Sequence, residues 1–131
     1  MANISSYDQK AMLDWVLGGA TPTRPTDRYV ALSLGTPTSV SASEVLTGSG
    51  YVRQTALFGA AASPAGSASN TAAMTFGPFS SSAAIQGVVI FDTSAFTAGN
   101  QLWYGTLLTA RTVLPGDTLV IGAGALILTL S

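Results

Sequence analysis

After residue 19, glycine and proline punctuate the chain so closely that only short strands fit between them. Turn signals stand at Gly35-Thr36-Pro37, Gly77-Pro78, Ala98-Gly99-Asn100, Pro115-Gly116 and Gly122-Ala123-Gly124. Proline lacks a backbone donor and glycine is poor in helix interiors, so little helix survives that spacing. The runs between the signals carry strand-forming residues: Tyr29–Leu34, Tyr51–Phe58, Thr71–Phe76, Ala84–Asp92, Gln101–Leu108, Asp117–Ile121 and Ala125–Leu130, with a short candidate at Thr112–Leu114. Seven to eight short strands joined by such turns predict an all-β fold, an antiparallel β-sandwich of jelly-roll type.

The start of the chain reads differently. Ser5 or Ser6 can cap a helix, Asp8 suits its first turn, and Met12, Trp15 and Val16 recur at helical spacing as one apolar stripe. Gly18-Gly19 ends it. With 131 residues the chain is one domain: an N-terminal helix over 1–19, a Pro-rich connector over 20–28 and the sandwich over 29–131. The Ser/Thr/Gly-rich stretch 35–50 and the low-complexity stretch 59–70 are predicted to be surface loops.

The surface of such a domain is the next constraint. Only 8% of the residues are charged, against about 25% in an ordinary globular protein. Five basic and six acidic side chains cannot cover it, so apolar area remains exposed, and such area marks contact sites. The last two runs, within Asp117–Leu130, are apolar on both faces. One face packs in the sandwich, and the other needs the N-terminal helix or another subunit to cover it. These features predict a homo-oligomer, a dimer before a trimer because two-fold interfaces are commonest.

The inventory for chemistry is thin. There is no cysteine or histidine, which excludes Ser-His-Asp and Cys-His catalysis and thiolate metal sites. Lys10 is the only lysine and has no nucleophile motif near it. Asp92, Asp117 and Glu44 are the carboxylates available for glycosidase or calcium chemistry, but Asp92 and Asp117 sit at strand ends, where carboxylates bind turn amides. The chain is therefore read as a non-enzyme without cofactor or metal. Scattered arginines and a net charge of −1 argue against nucleic acid as a partner. The longest apolar stretch, 119–130, is too short for a membrane helix, and residues 1–10 lack a secretory pattern, so a soluble, unprocessed protein is expected. Asn3-Ile4-Ser5 fits the glycosylation pattern by chance on that reading. Trp15, Arg53, Trp103 and Tyr104 are the candidate partner contacts. For Arg53 the competing role is structural, a partly exposed guanidinium bonded to carbonyls or to a carboxylate such as Asp92. Trp103 and Tyr104 point to opposite faces of one strand, so one of them is expected to face outward.

Several segments carry a family resemblance: LGG at 17–19, YVALSLGTPT at 29–38, GSGYVRQ at 48–54, GVVIFDTS at 87–94, LWYGTLLTARTV at 102–113 and PGDTLVIGAGALILTL at 115–130. In that order the chain resembles small virion structural proteins of tailed bacteriophages, capsid cement or decoration proteins and proteins loosely labelled tail-fibre-like. The resemblance implies a β-sandwich that oligomerises and bridges copies of the major capsid protein at the capsid surface. A tail-fibre or tail-tip module that binds a host receptor is the alternative. Neither brings an active site.

Overall fold

The computed structural model describes residues 2–45, 47–63 and 66–130, so residue 46 of the first predicted loop and residues 64–65 of the second lie outside the described residues. Its strands are β1 (Ala2–Ile4), β2 (Tyr29–Ser33), β3 (Gln54–Thr55), β4 (Ser67–Ser69), β5 (Met74–Phe76), β6 (Ala83–Phe91), β7 (Gln101–Val113), β8 (Leu119–Ile121) and β9 (Ile127–Thr129), with one helix, α1 (Ser6–Leu17). A 3-10 turn spans Thr47–Ser49. Every strand pairing is antiparallel. Five strands form one sheet in the order β1-β7-β6-β2-β3, while β4 pairs with β9 and β5 with β8 as separate two-stranded ribbons. The all-β antiparallel reading thus holds. The described residues show one sheet and two ribbons, not the two matched sheets of a jelly roll.

The core lies between the large sheet and the ribbons. Val30, Leu32, Val88 and Ile90 from β2 and β6 meet Met74 and Phe76 from β5 and Leu126 beside β9. In β5 the alternation is complete, Met74 and Phe76 buried and Thr75 exposed, as a one-faced strand requires. Each large side chain so buried contributes about 1.5–3 kcal/mol. Strands β2 and β6 are buried on both faces: Ala31 and Val89 point away from the main core yet are covered. Pro37, itself buried, lies against Gly87 on that second face, where a Cβ would collide with the Pro37 ring. The first predicted loop is therefore a cover for the sheet, tied down by Leu34 N–H to Ser43 O (2.7 Å) and Val45 N–H to Leu32 O (3.0 Å).

Four elements depart from the sequence expectation. Ala2–Ile4, inside the segment expected to be helical, is instead strand β1, because its backbone pairs with residues Trp103 to Gly105 of β7. Residues 67–69 of the low-complexity stretch form β4, because its backbone pairs with β9 whatever its side chains are. The runs expected at 101–108 and 112–114 are one strand, interrupted by a bulge. Between the pairs Ile85↔Arg111 and Gly87↔Thr106, Gln86 of β6 faces four residues of β7, 107–110. The run 51–58 contains only β3, because Tyr51 and Arg53 leave the sheet direction to enter a polar network. Gly50 opens that run with φ +81°, and a Cβ there would meet the carbonyl of Pro78. Gly50→Ala should lower stability by more than 1 kcal/mol, by left-handed strain plus backbone collision. Exposed Gly48, with open space around it, is the control, and urea denaturation reads both.

Candidate functional site

Two places concentrate side chains that do more than fill the core: a buried charge network under the β6–β7 hairpin, and an apolar surface around α1.

In the network, Arg53 and Glu44 form a two-bond ion pair, Nε to Oε1 at 2.8 Å and Nη2 to Oε2 at 2.7 Å. Both side chains are shielded from solvent. The remaining guanidinium nitrogen donates to the carbonyls of Thr93 (2.8 Å) and Ala98 (3.1 Å), and the Phe91 ring lies 3.8 Å from the guanidinium carbon. Tyr51 donates its hydroxyl to Glu44 Oε1 (2.8 Å) and accepts from Leu32 N–H (3.1 Å). Burial first, and then the Glu44 carboxylate, push the Tyr51 phenol well above its ordinary range, so it stays protonated. Among the described residues no buried side-chain polar atom lacks a partner. The network joins β2, the run into β3 and the hairpin loop 92–100. Arg53 is thus buried, and its carboxylate partner is Glu44. Asp92 instead accepts from the backbone (2.7 Å) and side-chain (2.8 Å) nitrogens of Asn100, closing the hairpin.

The other carboxylates sit apart from it. Asp117 accepts from Leu114 N–H (2.9 Å), the turn role its position predicts. Glu44 lines a depression beside the hairpin loop that neither Asp92 nor Asp117 lines. Among the described residues no three Asp, Glu, His or Cys side chains converge as metal ligands would. No helix among the described residues is long and apolar enough to cross a membrane.

The surface around α1 is built differently. Ser5 caps the helix, accepting from Asp8 N–H (3.2 Å), and its hydroxyl donates to Gln101 O (2.5 Å) while its N–H donates to Leu102 O (2.9 Å). Gly18 closes the other end at φ +78°. These ends and β1 hold the helix against β7; its apolar side chains do not. None of its residues is buried: Trp15 is 70% exposed and Leu17 77%, with Leu13 and Val16 similar. The apolar stripe expected at Met12, Trp15 and Val16 therefore faces out. It does not cover β8 and β9, whose Val120 and Ile127 also stay exposed. Trp103 and Tyr104 are both half-buried. Trp103 packs at the margin of the core and lines a cleft of about 430 Å³ between α1, the connector and β9.

Sequence reasoning missed Asp8 as part of this surface, seeing in it only a helix-start residue. Half-buried on the cleft rim, its carboxyl is pushed up to about 6, by burial first and by the nearby Asp92 charge second. The helix dipole favours the anion, and burial outweighs it. The sign follows: a carboxyl raised above its unfolded value binds its proton more tightly in the native state, so stability falls as pH rises from about 4 to about 6. In protein dilute enough to be a single protomer, Asp8→Asn should flatten that decline and raise the melting temperature modestly at pH 7. A series of melts from pH 4 to 8 checks it, and an unchanged slope would refute it.

One family model matches the chain over residues 3–129, the family described as Podophage GP4 fiber I protein gp80. No curated protein matches it.

Proposed function

The chain belongs to the family described as Podophage GP4 fiber I protein gp80, a family of phage structural proteins, and from that premise we propose that it is a fibre-side assembly subunit of the virion. It works without catalysis, by binding copies of itself and neighbouring virion proteins. The observation that carries this reading is the outward apolar face of α1, with Leu13, Trp15, Val16 and Leu17 all largely exposed on one short helix. A helix that buries none of its apolar side chains in its own domain gains its packing energy from a neighbour. The side-chain inventory suits a binding role: the chain has no His or Cys, and Glu44, Asp92 and Asp117 are each held in a separate structural contact.

A second reading, a cement protein that oligomerises and bridges major capsid subunits, draws on the same surface and is favoured by the 8% charge content, which suits largely apolar contacts repeated over a shell. Copy number in purified particles, by quantitative mass spectrometry, separates the two. A handful of copies supports the fibre-side role. A number near that of the major capsid protein replaces it with cementing, and absence from particles removes both.

A further inference from the structure

Of the four residues in the β7 bulge, Leu107 packs against the core and the other three serve no contact within the domain's interior. Leu108 stands at its crest fully exposed (104%), followed by exposed Thr109 and Ala110. A bulge re-aims side chains, and this one aims a leucine into water, where it gains nothing unless something receives it.

The cleft under α1 has the opposite character. Its walls are apolar, with Phe58, Ile90, Leu102, Trp103, Leu128 and Leu130 among them, and its volume of about 430 Å³ is more than one leucine fills. Its rim carries Asp8, whose carboxylate receives no hydrogen bond or ion pair among the described residues. Two cations lie near. Arg28, on the same cleft, donates to Pro25 O (3.2 Å), and Arg24 lines an adjoining hollow that also includes Asp8. Neither forms an ion pair with it. On the bulge side, Arg111 follows Leu108 by three residues, is exposed, and forms no ion pair among the described residues. An exposed leucine near an unpaired cation on one side thus answers an apolar hollow with an unpaired carboxylate on its rim on the other.

We propose that the β7 bulge of one copy seats in the α1 cleft of a second copy, Leu108 entering the apolar hollow and Arg111 meeting Asp8. The adjoining hollow against α1, lined by Met12 and Trp15, continues the contact onto the exposed helix. The arrangement is reciprocal in a two-fold dimer and sequential around a ring. It deepens the assembly reading above and rests on it for its setting in the particle.

Sedimentation velocity of the full chain, with its 13.3 kDa protomer, tests it at low ionic strength. The wild type should sediment as an oligomer. Leu108→Asp, at a fully exposed position, should give monomers that still melt cooperatively, with the melting temperature of wild type measured at a dilution where it too is monomeric. Asp8→Arg and Arg111→Asp should each weaken association at least tenfold, and the two together should restore most of it. A monomeric wild type, an oligomer that Leu108→Asp leaves intact, or a charge-swapped pair that fails to recover would each overturn the contact. Particle incorporation, scored separately, tells this failure from failure of the assembly reading: a monomeric wild type still found in virions loses the self-contact and keeps the role.

Discussion

Arg53→Ala should destabilise the fold by about 3–5 kcal/mol, a large part of the 5–15 kcal/mol that holds a domain of this kind together. The cost is not the value of the ion pair itself. It is the charge left behind: with Arg53 gone, Glu44 keeps only the Tyr51 hydroxyl, in a site closed to water. The carbonyls of Thr93 and Ala98 lose their donor at the same time, so the hairpin loop 92–100 loses its anchor to the sheet. Glu44→Ala should cost nearly as much, since it strands the guanidinium. The joint replacement Arg53→Ala with Glu44→Ala should cost clearly less than the sum of the two single changes, because it removes both desolvated charges together. Guanidinium denaturation of the four proteins measures this cycle. Additive single-site losses would refute the coupling, and faster amide exchange in 92–100 should accompany every loss of Arg53.

The second large effect is expected at Asn70. This side chain is 2% exposed and spends every polar group it has: Nδ2 donates to Ala72 O and Gly122 O (2.9 Å each), and Oδ1 accepts from Leu126 N–H (2.9 Å). Its own backbone exchanges bonds with the same turn, donating to Leu126 O (3.2 Å) and accepting from Gly124 N–H (2.7 Å). Asn70 therefore locks the end of β4 to the turn between β8 and β9, the place where the two ribbons meet. Asn70→Ala strands one buried backbone group, the Leu126 N–H, at about 1–3 kcal/mol, and removes the donor of two part-buried carbonyls that water can reach, so it should cost about 2–3 kcal/mol. Asn3→Ala, at an exposed site, should stay within about 0.5 kcal/mol. Equal losses at both positions would show that the clamp contributes nothing specific.

Neither residue announced its role in the linear chain. Asn70 ends a low-complexity stretch with the composition of a surface loop, and a polar residue there signals a turn in most proteins. Arg53 was legible as an arginine in an apolar run, and its bonds to carbonyls and a carboxylate follow from its need for five acceptors once buried. The identity of its partner was not legible, because Glu44 and Asp92 are equally plausible by composition. The sheet decided between them by bridging Ser33 to Glu44, which places that carboxylate next to β2 and beside Arg53.

What the sequence determined by itself is local. Turn residues set where strands can run, Ser5 and Gly18 set the ends of α1, and the shortage of charge set an exposed apolar surface. The positions of β2, β6 and β8 follow closely from those signals. The tertiary structure alone decided which strands pair, that 67–69 is a strand, that β7 bulges at 107–110, and that the apolar side of α1 faces solvent. The physical reason is the same in each case. Backbone hydrogen bonds between distant strands depend on the partner's register and not on side-chain pattern, and an apolar helix stripe reads identically whether the surface it meets belongs to its own domain or to another chain.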